Sequence, residues 1–307
     1  MTAEGQITYG AGDTRLIENL VAPELAEEIF GRVEKEVQWA SMFHRGGEVP
    51  RLVAIQGDIN EDKSFPIYRF PSDIAPPLHP FTPAVALIRD ASQRALPPTH
   101  GSLNHVLIQF YRSGRDYISE HSDKTIDIVR GSSIVNVSLG AQRTMVLRKK
   151  KDAFASPAQP ADNPSTLGST TPGPPRPVQR IPLPHNSMLV MSLQTNQHFL
   201  HSIKRGMRRQ EEKASSELAN DCRRISLTFR CIGTSVTPEN DGASRKIWGQ
   251  GARGKTRAEA RAVVDPTAGG ETEVLLEMFG KENREADFDW QSAYGEGFDV
   301  VNFRTIV

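Results

Sequence analysis

His121 and Asp123 stand two residues apart in the run EHSDK. On an extended strand, residues i and i+2 share a face, so an imidazole nitrogen and a carboxylate oxygen converge on one point. Adding one more imidazole would complete the two-histidine, one-carboxylate triad that holds iron(II) on one face and leaves positions open opposite. His201, in HFLHSIKR, is the natural partner, whereas His198 falls on the opposite parity if that piece is extended. A second feature lies downstream. In RISLTFR the residues Arg224, Ser226, Thr228 and Arg230 alternate with apolar ones and fall on one side of a strand. An inward-facing arginine needs an anion, because an unpaired buried guanidinium is costly. A dicarboxylate beside the metal would supply it, one end on the iron and the other on an arginine fork.

These residues need elements to carry them. The segment 22–39 has Leu25, Ile29, Val33 and Val37 at helical spacing with Pro23 at a first-turn position, which predicts an amphipathic helix. A second helix is expected over 83–96. From His105 the pattern changes to short alternating runs, 105–111, 133–139, 144–147, 187–193 and 225–231, which read as strands. Between them, 152–180 is polar, proline-dense and aperiodic, as expected of a mobile insert between two strands. A shorter insert is expected at 210–220. After Gly233 a polar tail follows, with helices expected near 257–264 and 271–279. The division expected is helical support over 1–47, a core over 48–233 and a C-terminal extension over 234–307. Helices first and many strands after argue for a mainly β sandwich or barrel with supporting helices.

The 307 residues carry 37 basic and 37 acidic side chains, a formal charge of +0, so no global electrostatic attraction marks this chain for nucleic acid. No apolar run approaches the roughly 20 residues that span a bilayer, and the N-terminus lacks the order of a signal peptide. An intracellular protein of nucleus or cytoplasm, without a membrane partner and monomeric, is expected. Two cysteines without a CxxC pair suggest neither a disulfide framework nor a cysteine-zinc site.

The blocks LNHVLIQFYRSGRDYISEHSD, GSSIVNVSLGAQRTMVLRKK, LPHNSMLVMS, HFLHSIKR and DCRRISLTFR together resemble the AlkB family of Fe(II)/2-oxoglutarate dioxygenases, and within it the eukaryotic nucleic-acid demethylase branch. The upstream VPRLVAIQGD…YRF resembles that branch's substrate-recognition segment. The likeness covers about 48–232 and leaves the tail outside it. It implies a double-stranded β-helix, or jelly-roll, core. It implies His121, Asp123 and His201 as iron ligands, with 2-oxoglutarate and O₂ as co-substrates. Arg224, assisted by Tyr111, would meet the distal carboxylate of 2-oxoglutarate, and Arg230 would sit near the metal-proximal end. Gln109 and Ser226 stand where the family usually has asparagines: Gln109 is one methylene longer, which departs from the family's contact with the co-substrate, and Ser226 can still donate a hydrogen bond.

The departures fall on the substrate side. After the HxD pair the branch typically has acidic residues that suit a cationic methylated base, and here Lys124 and Thr125 stand there. Gln56 replaces the aromatic that usually precedes the glycine of the PRL…G segment. Tyr68 remains as a candidate base contact. The resemblance implies oxidative demethylation of N-alkylated bases in DNA or RNA. The alternative is a hydroxylase or oxidase of a small molecule, favoured by Lys124, Thr125, Gln56 and the zero net charge. A barrel that only binds a dicarboxylate or a partner protein would leave the triad unexplained.

One further motif, GQGARGKT at 249–256, fits the phosphate-loop pattern letter for letter. That pattern works only between a buried strand and a helix. SRKIW before it is a poor buried strand, so a glycine-rich loop folded against the barrel is expected instead.

Overall fold

The computed structural model describes residues 7–44, 47–72, 76–151, 175–239, 244–266, 270–301 and 303. The alternating runs pair into two facing sheets. In the larger, Thr14–Glu18, Ser187–Ser192, Ser133–Gly140, Arg224–Arg230, His105–Tyr111 and Leu52–Gly57 lie side by side in that order, with Thr8–Tyr9 and Leu78–Pro80 at the two edges. The smaller sheet runs Val178–Leu183, Arg143–Lys149, Phe199–Ile203, Ile118–His121. Tyr111 and Leu189 of the larger sheet meet Met145, Leu147, Ile181 and Phe199 of the smaller in one buried cluster. The larger sheet's other face is closed by two helices, Pro23–Glu36 and Pro83–Arg94, whose Ile29, Phe30, Val33 and Ile88 pack on Val106, Ile108, Val135 and Leu227. Proline in the first turn of each helix suits a position whose N–H has no intrahelical partner. The architecture is mainly β with supporting helices, a jelly-roll core open at one end.

Three local expectations change. Thr14–Glu18 is a strand, paired with Ser187–Val190, so the front segment adds an edge to the sheet as well as a helix. The segment expected as an insert reaches only part-way: residues 152–174 lie outside the described residues, but Val178–Leu183 pairs in register with Arg143–Arg148. The helix expected near 257–264 is a single turn, Arg257–Glu259, followed by the short strand Arg261–Ala262 paired to Lys246–Ile247. Glu259 bonds back to the N–H groups of Lys255 and Thr256, which closes one turn, and the chain is then captured by the strand beside it.

The tail is built onto the barrel. Phe65–Pro66 pairs with Thr234–Val236, which pairs in turn with Lys246–Gly249, and Leu275, Phe279 and Tyr294 of the helices Glu271–Arg284 and Trp290–Tyr294, with Phe298 beyond them, are buried with Ile126. Arg69 is the staple between the two parts. Its guanidinium, with no exposed side-chain surface, pairs with Asp127 at 2.6 Å and donates to the carbonyls of Gly251, Phe298 and Val300. The glycine-rich run packs here. Gly249 has φ +109°, and a Cβ on Gly251 would lie 2.5 Å from both the Arg69 guanidinium and the Asp127 carboxylate. Lys255 donates to the carbonyls of Gln250, Ala252 and Gly295, so its ammonium is committed to the loop itself. Among the described residues no helix is long and apolar enough to cross a membrane.

Candidate active site

His121 closes the strand Ile118–His121 and lies directly across from His201 in the strand Phe199–Ile203, with ring centroids 4.2 Å apart. Asp123 sits just past the strand end rather than on it. Its place is set by Asn196: the Asp123 N–H donates to Asn196 Oδ1 at 2.8 Å, and Asn196 Nδ2 donates to the Asp123 carbonyl at 2.9 Å. Asp123 Oδ1 lies 3.8 Å from His121 Nε2 and 3.7 Å from His201 Nε2. One donor atom from each of the three residues falls within 4.8 Å of the others.

The charge states suit a cation. Burial is the main force lowering both imidazoles, and at His121 the neighbouring His201 adds to it. His121 keeps 30% of its side chain exposed and His201 only 11%. Neutral rings are the form that ligates a metal. His121 Nδ1 lies 2.8 Å from the Ser119 carbonyl, which assigns it the proton and leaves Nε2 as the lone pair facing Asp123. Burial works against the Asp123 carboxylate, yet Arg230 and the two imidazoles hold it below the ordinary range.

Arg224 reaches the same cavity from the centre of the larger sheet and is 1% exposed. Its Nη2 donates to Ser138 Oγ at 2.8 Å, while its Nε and Nη1 are buried without a partner among the described residues. Burial pulls its pKa down to about 10. A buried guanidinium with two idle donors is an unfilled anion site. The Tyr111 ring lies 5.2 Å from it, and the Tyr111 hydroxyl donates to Gln109 Oε1. Ser226 Oγ accepts from Asn136 Nδ2 at 2.8 Å and lies 3.3 Å from Arg224 Nη2. Arg230 is paired already: its Nη2 donates to Asp123 Oδ2 at 2.6 Å, and its guanidinium lies over the Tyr68 ring at 4.0 Å.

The two histidines, Asp123, Arg224, Arg230, Tyr111, Gln109 and Ser226 open onto one cavity of about 830 Å³, which also receives Tyr68 and Lys124. Two residues expected on the substrate side are elsewhere. Gln56 lines a separate small hollow, where its Oε1 accepts the Thr82 N–H at the start of the helix Pro83–Arg94. Thr125 turns the other way, its N–H and hydroxyl both donating to Glu282 Oε1. His198 ends a one-and-a-half-turn helix, with Nδ1 2.9 Å from the Gln194 carbonyl, and takes no part.

Several residues of the site were not singled out in the sequence. Asn136 stands on the alternating strand beside Arg224, and its alternation with Val135 and Val137, which face the helices, was the available signal. Asn196 lies in a short helix with no motif around it. Arg51 lines the cavity with its Nε buried and, among the described residues, unpartnered. The tail contributes Leu276, Phe279, Asn283 and Phe303, which no local pattern announces.

Residues 13–230 match the family described as the 2OG-Fe(II) oxygenase superfamily. The chain belongs to that superfamily. The oxygenase is 32% identical over 185 residues to the DNA oxidative demethylase ALKBH2 of Homo sapiens, a match that takes in 58% of this chain and 62% of that protein. It is 28% identical over 185 residues to the human alpha-ketoglutarate-dependent dioxygenase alkB homolog 3, covering 60% of this chain and 52% of that one. The matches therefore span less than two thirds of these relatives' length. The solved structure of OsALKBH1 aligns over 73% of this chain and all of its own, at 15% identity and a TM-score of 0.44. The AlkB-like resemblance carried by the sequence blocks is borne out by these relatives, as is the iron and 2-oxoglutarate chemistry by the superfamily. The oxygenase's own atoms fit both groups: two imidazoles and a carboxylate suit iron(II), and the idle edge of Arg224 suits a carboxylate.

Proposed function

We propose that this oxygenase removes N-linked methyl groups from nucleobases in DNA or RNA, using iron(II), 2-oxoglutarate and O₂. The observation that carries the reading is the meeting, in one cavity, of the His121–Asp123–His201 donor set with the buried unpaired edge of Arg224. The relatives named as demethylases support the choice of substrate. Bound iron and 2-oxoglutarate supply the oxidising power that inserts an oxygen atom into a C–H bond. The resulting N–CH₂OH group breaks its C–N bond, releasing formaldehyde and returning the N–H.

The chain's own residues bind and orient. His121 and His201 offer neutral Nε2 lone pairs, and Asp123 offers Oδ1 while Arg230 occupies Oδ2. That division keeps the carboxylate ionised and aimed. Arg224, steadied by Ser138 and with Tyr111 beside it, would take the distal carboxylate of 2-oxoglutarate. Gln109 holds the Tyr111 hydroxyl, and Asn136 ties Ser226 and Thr228 into the same wall. Tyr68 lies on the substrate side, where its hydroxyl accepts the Lys124 N–H. A nucleic-acid substrate puts the enzyme in nucleus or cytoplasm.

The test is mass spectrometry of short oligonucleotides carrying N-methylated bases, incubated with enzyme, iron(II), 2-oxoglutarate and ascorbate. Loss of one methylene mass that needs 2-oxoglutarate and disappears in His121→Ala is the expected result. Succinate release without any loss of mass would replace this reading by oxidation of a small molecule, which the buried Lys124 in the cavity favours.

A further inference from the structure

Asn283 lies near the end of the helix Glu271–Arg284, beyond the residues that match the superfamily, yet it lines the catalytic cavity. Its Oδ1 is 2.9 Å from the backbone N of Ser122, the residue between His121 and Asp123, and 3.4 Å from Lys124 Nζ. The Ser122 N–H and the Lys124 ammonium can only donate, and the Ser122 hydroxyl, 3.5 Å from the same oxygen, donates to it as well, so the amide is placed with its oxygen toward the loop. The NH₂ end is therefore the free end. Among the described residues Nδ2 has no partner. Lys124 Nζ has Asn283 as its one hydrogen-bond acceptor among them, although Lys124 is 5% exposed and also lines the cavity. Beside them the same helix presents Leu276 and Phe279 to the cavity, an apolar surface for the body of a flat ring.

We propose that Asn283 is the residue that reads the substrate, and that with Lys124 it selects an uncharged base bearing a carbonyl oxygen next to the methylated nitrogen. The inference rests on the demethylase reading and deepens it. The wall offers hydrogen-bond donors and a cation, with no free acceptor from these two residues. A base such as 3-methylthymine, neutral and with a carbonyl on each side of its N-methyl group, returns acceptors to those donors. 1-Methyladenine brings a positive charge and an exocyclic amino donor, so charge meets charge and donor meets donor. The role is one of specificity: Asn283 touches the substrate and moves no proton.

The experiment compares turnover of two single-stranded oligonucleotides, identical but for 3-methylthymine or 1-methyladenine, by wild type, Asn283→Asp and Asn283→Ala. Wild type should favour 3-methylthymine by about tenfold or more, the scale of one well-made hydrogen bond to a substrate. Asn283→Asp keeps an acceptor for Ser122 and Lys124 but has lost the free donor. It should hold its melting temperature and turn the preference toward 1-methyladenine. Asn283→Ala should lose the preference and also weaken the loop, seen as a lower melting temperature. A wild-type preference for 1-methyladenine overturns the proposal, as does an Asn283→Asp ratio equal to that of wild type. If neither oligonucleotide loses its methyl group, the demethylase reading fails by itself. The inference is then decided by free 3-methyluracil and 1-methyladenine as probes, scored by stimulated succinate release. Stimulation by 3-methyluracil alone that Asn283→Asp abolishes upholds it, and equal or absent stimulation overturns it.

Discussion

At the scale of single residues, the site separates groups that already have partners from groups that wait for one. Arg230 belongs to the first kind and Arg224 to the second. Arg224→Ala is therefore expected to raise the 2-oxoglutarate concentration needed for half-maximal turnover by roughly 10- to 100-fold, the worth of charged hydrogen bonds. Titration of succinate release against 2-oxoglutarate checks it, and an unchanged requirement removes Arg224 from the co-substrate site. Glu282 makes a different prediction. It is 3% exposed, and burial pushes its carboxyl up, with Lys124 opposing. A carboxyl raised on folding binds its proton more tightly in the folded chain. Its contribution thus favours the fold below the unfolded pKa and is lost as pH rises through the folded value. Glu282→Gln keeps an acceptor for Thr125 and removes that titration. Its melting temperature should gain on that of wild type as pH rises from the ordinary carboxylate range toward neutrality. Parallel curves would show that Glu282 titrates normally.

At the scale of elements, the sequence disclosed what repeats and hid what folds back. The strands His105–Tyr111 and Arg224–Arg230 were legible because two-residue alternation is a local signal. HxD was legible because its two donors are neighbours in the chain. Asn196 and Asn283 were not, since each meets the HxD loop across a long sequence separation and asparagine carries no motif of its own. Thr14–Glu18 escaped for a related reason: five residues ending in a charge read as a strand only beside Ser187–Val190. The glycine-rich run was misleading in its letters and informative in its packing. Its glycines serve close approach, Gly251 to the Arg69–Asp127 pair and Gly249 through its positive φ. Gly251→Ala is expected to destabilise by about 1–3 kcal/mol, as overpacking of a filled site does. Denaturant unfolding measures it. No loss would mean that Arg69 can move aside.

At the scale of the whole molecule, the tail and the barrel form one body around Arg69. One guanidinium joins Asp127 of the barrel to three carbonyls of the extension. Arg69→Met would leave Asp127 buried and charged without its cation, with the backbone N–H of residue 69 still donating to Oδ2, at a cost of about 3–5 kcal/mol. Chemical denaturation should show that loss. The catalytic cavity should suffer with it, because Leu276, Phe279 and Asn283 reach the cavity only while the extension is docked. A variant that loses stability but keeps wild-type turnover of its substrate would separate the two parts. The pairing of Phe65–Pro66 with Ser235–Val236 joins the stretch 48–233 to the extension that follows it.

The bond from Ser122 to Asn283 spans 161 positions of chain. At a synthesis rate of about 5–20 residues per second, the acceptor for that N–H leaves the ribosome some ~8–30 s after the loop it steadies. Only in the second half of that interval, once Phe199–Ile203 has emerged, does the nascent protein hold both histidines' strands and the HxD loop, and it still lacks one wall of its cavity. Newly made chains should therefore acquire substrate selectivity last, after the barrel's strands are complete, and a chaperone that delays docking of the helix Glu271–Arg284 would prolong a less discriminating state.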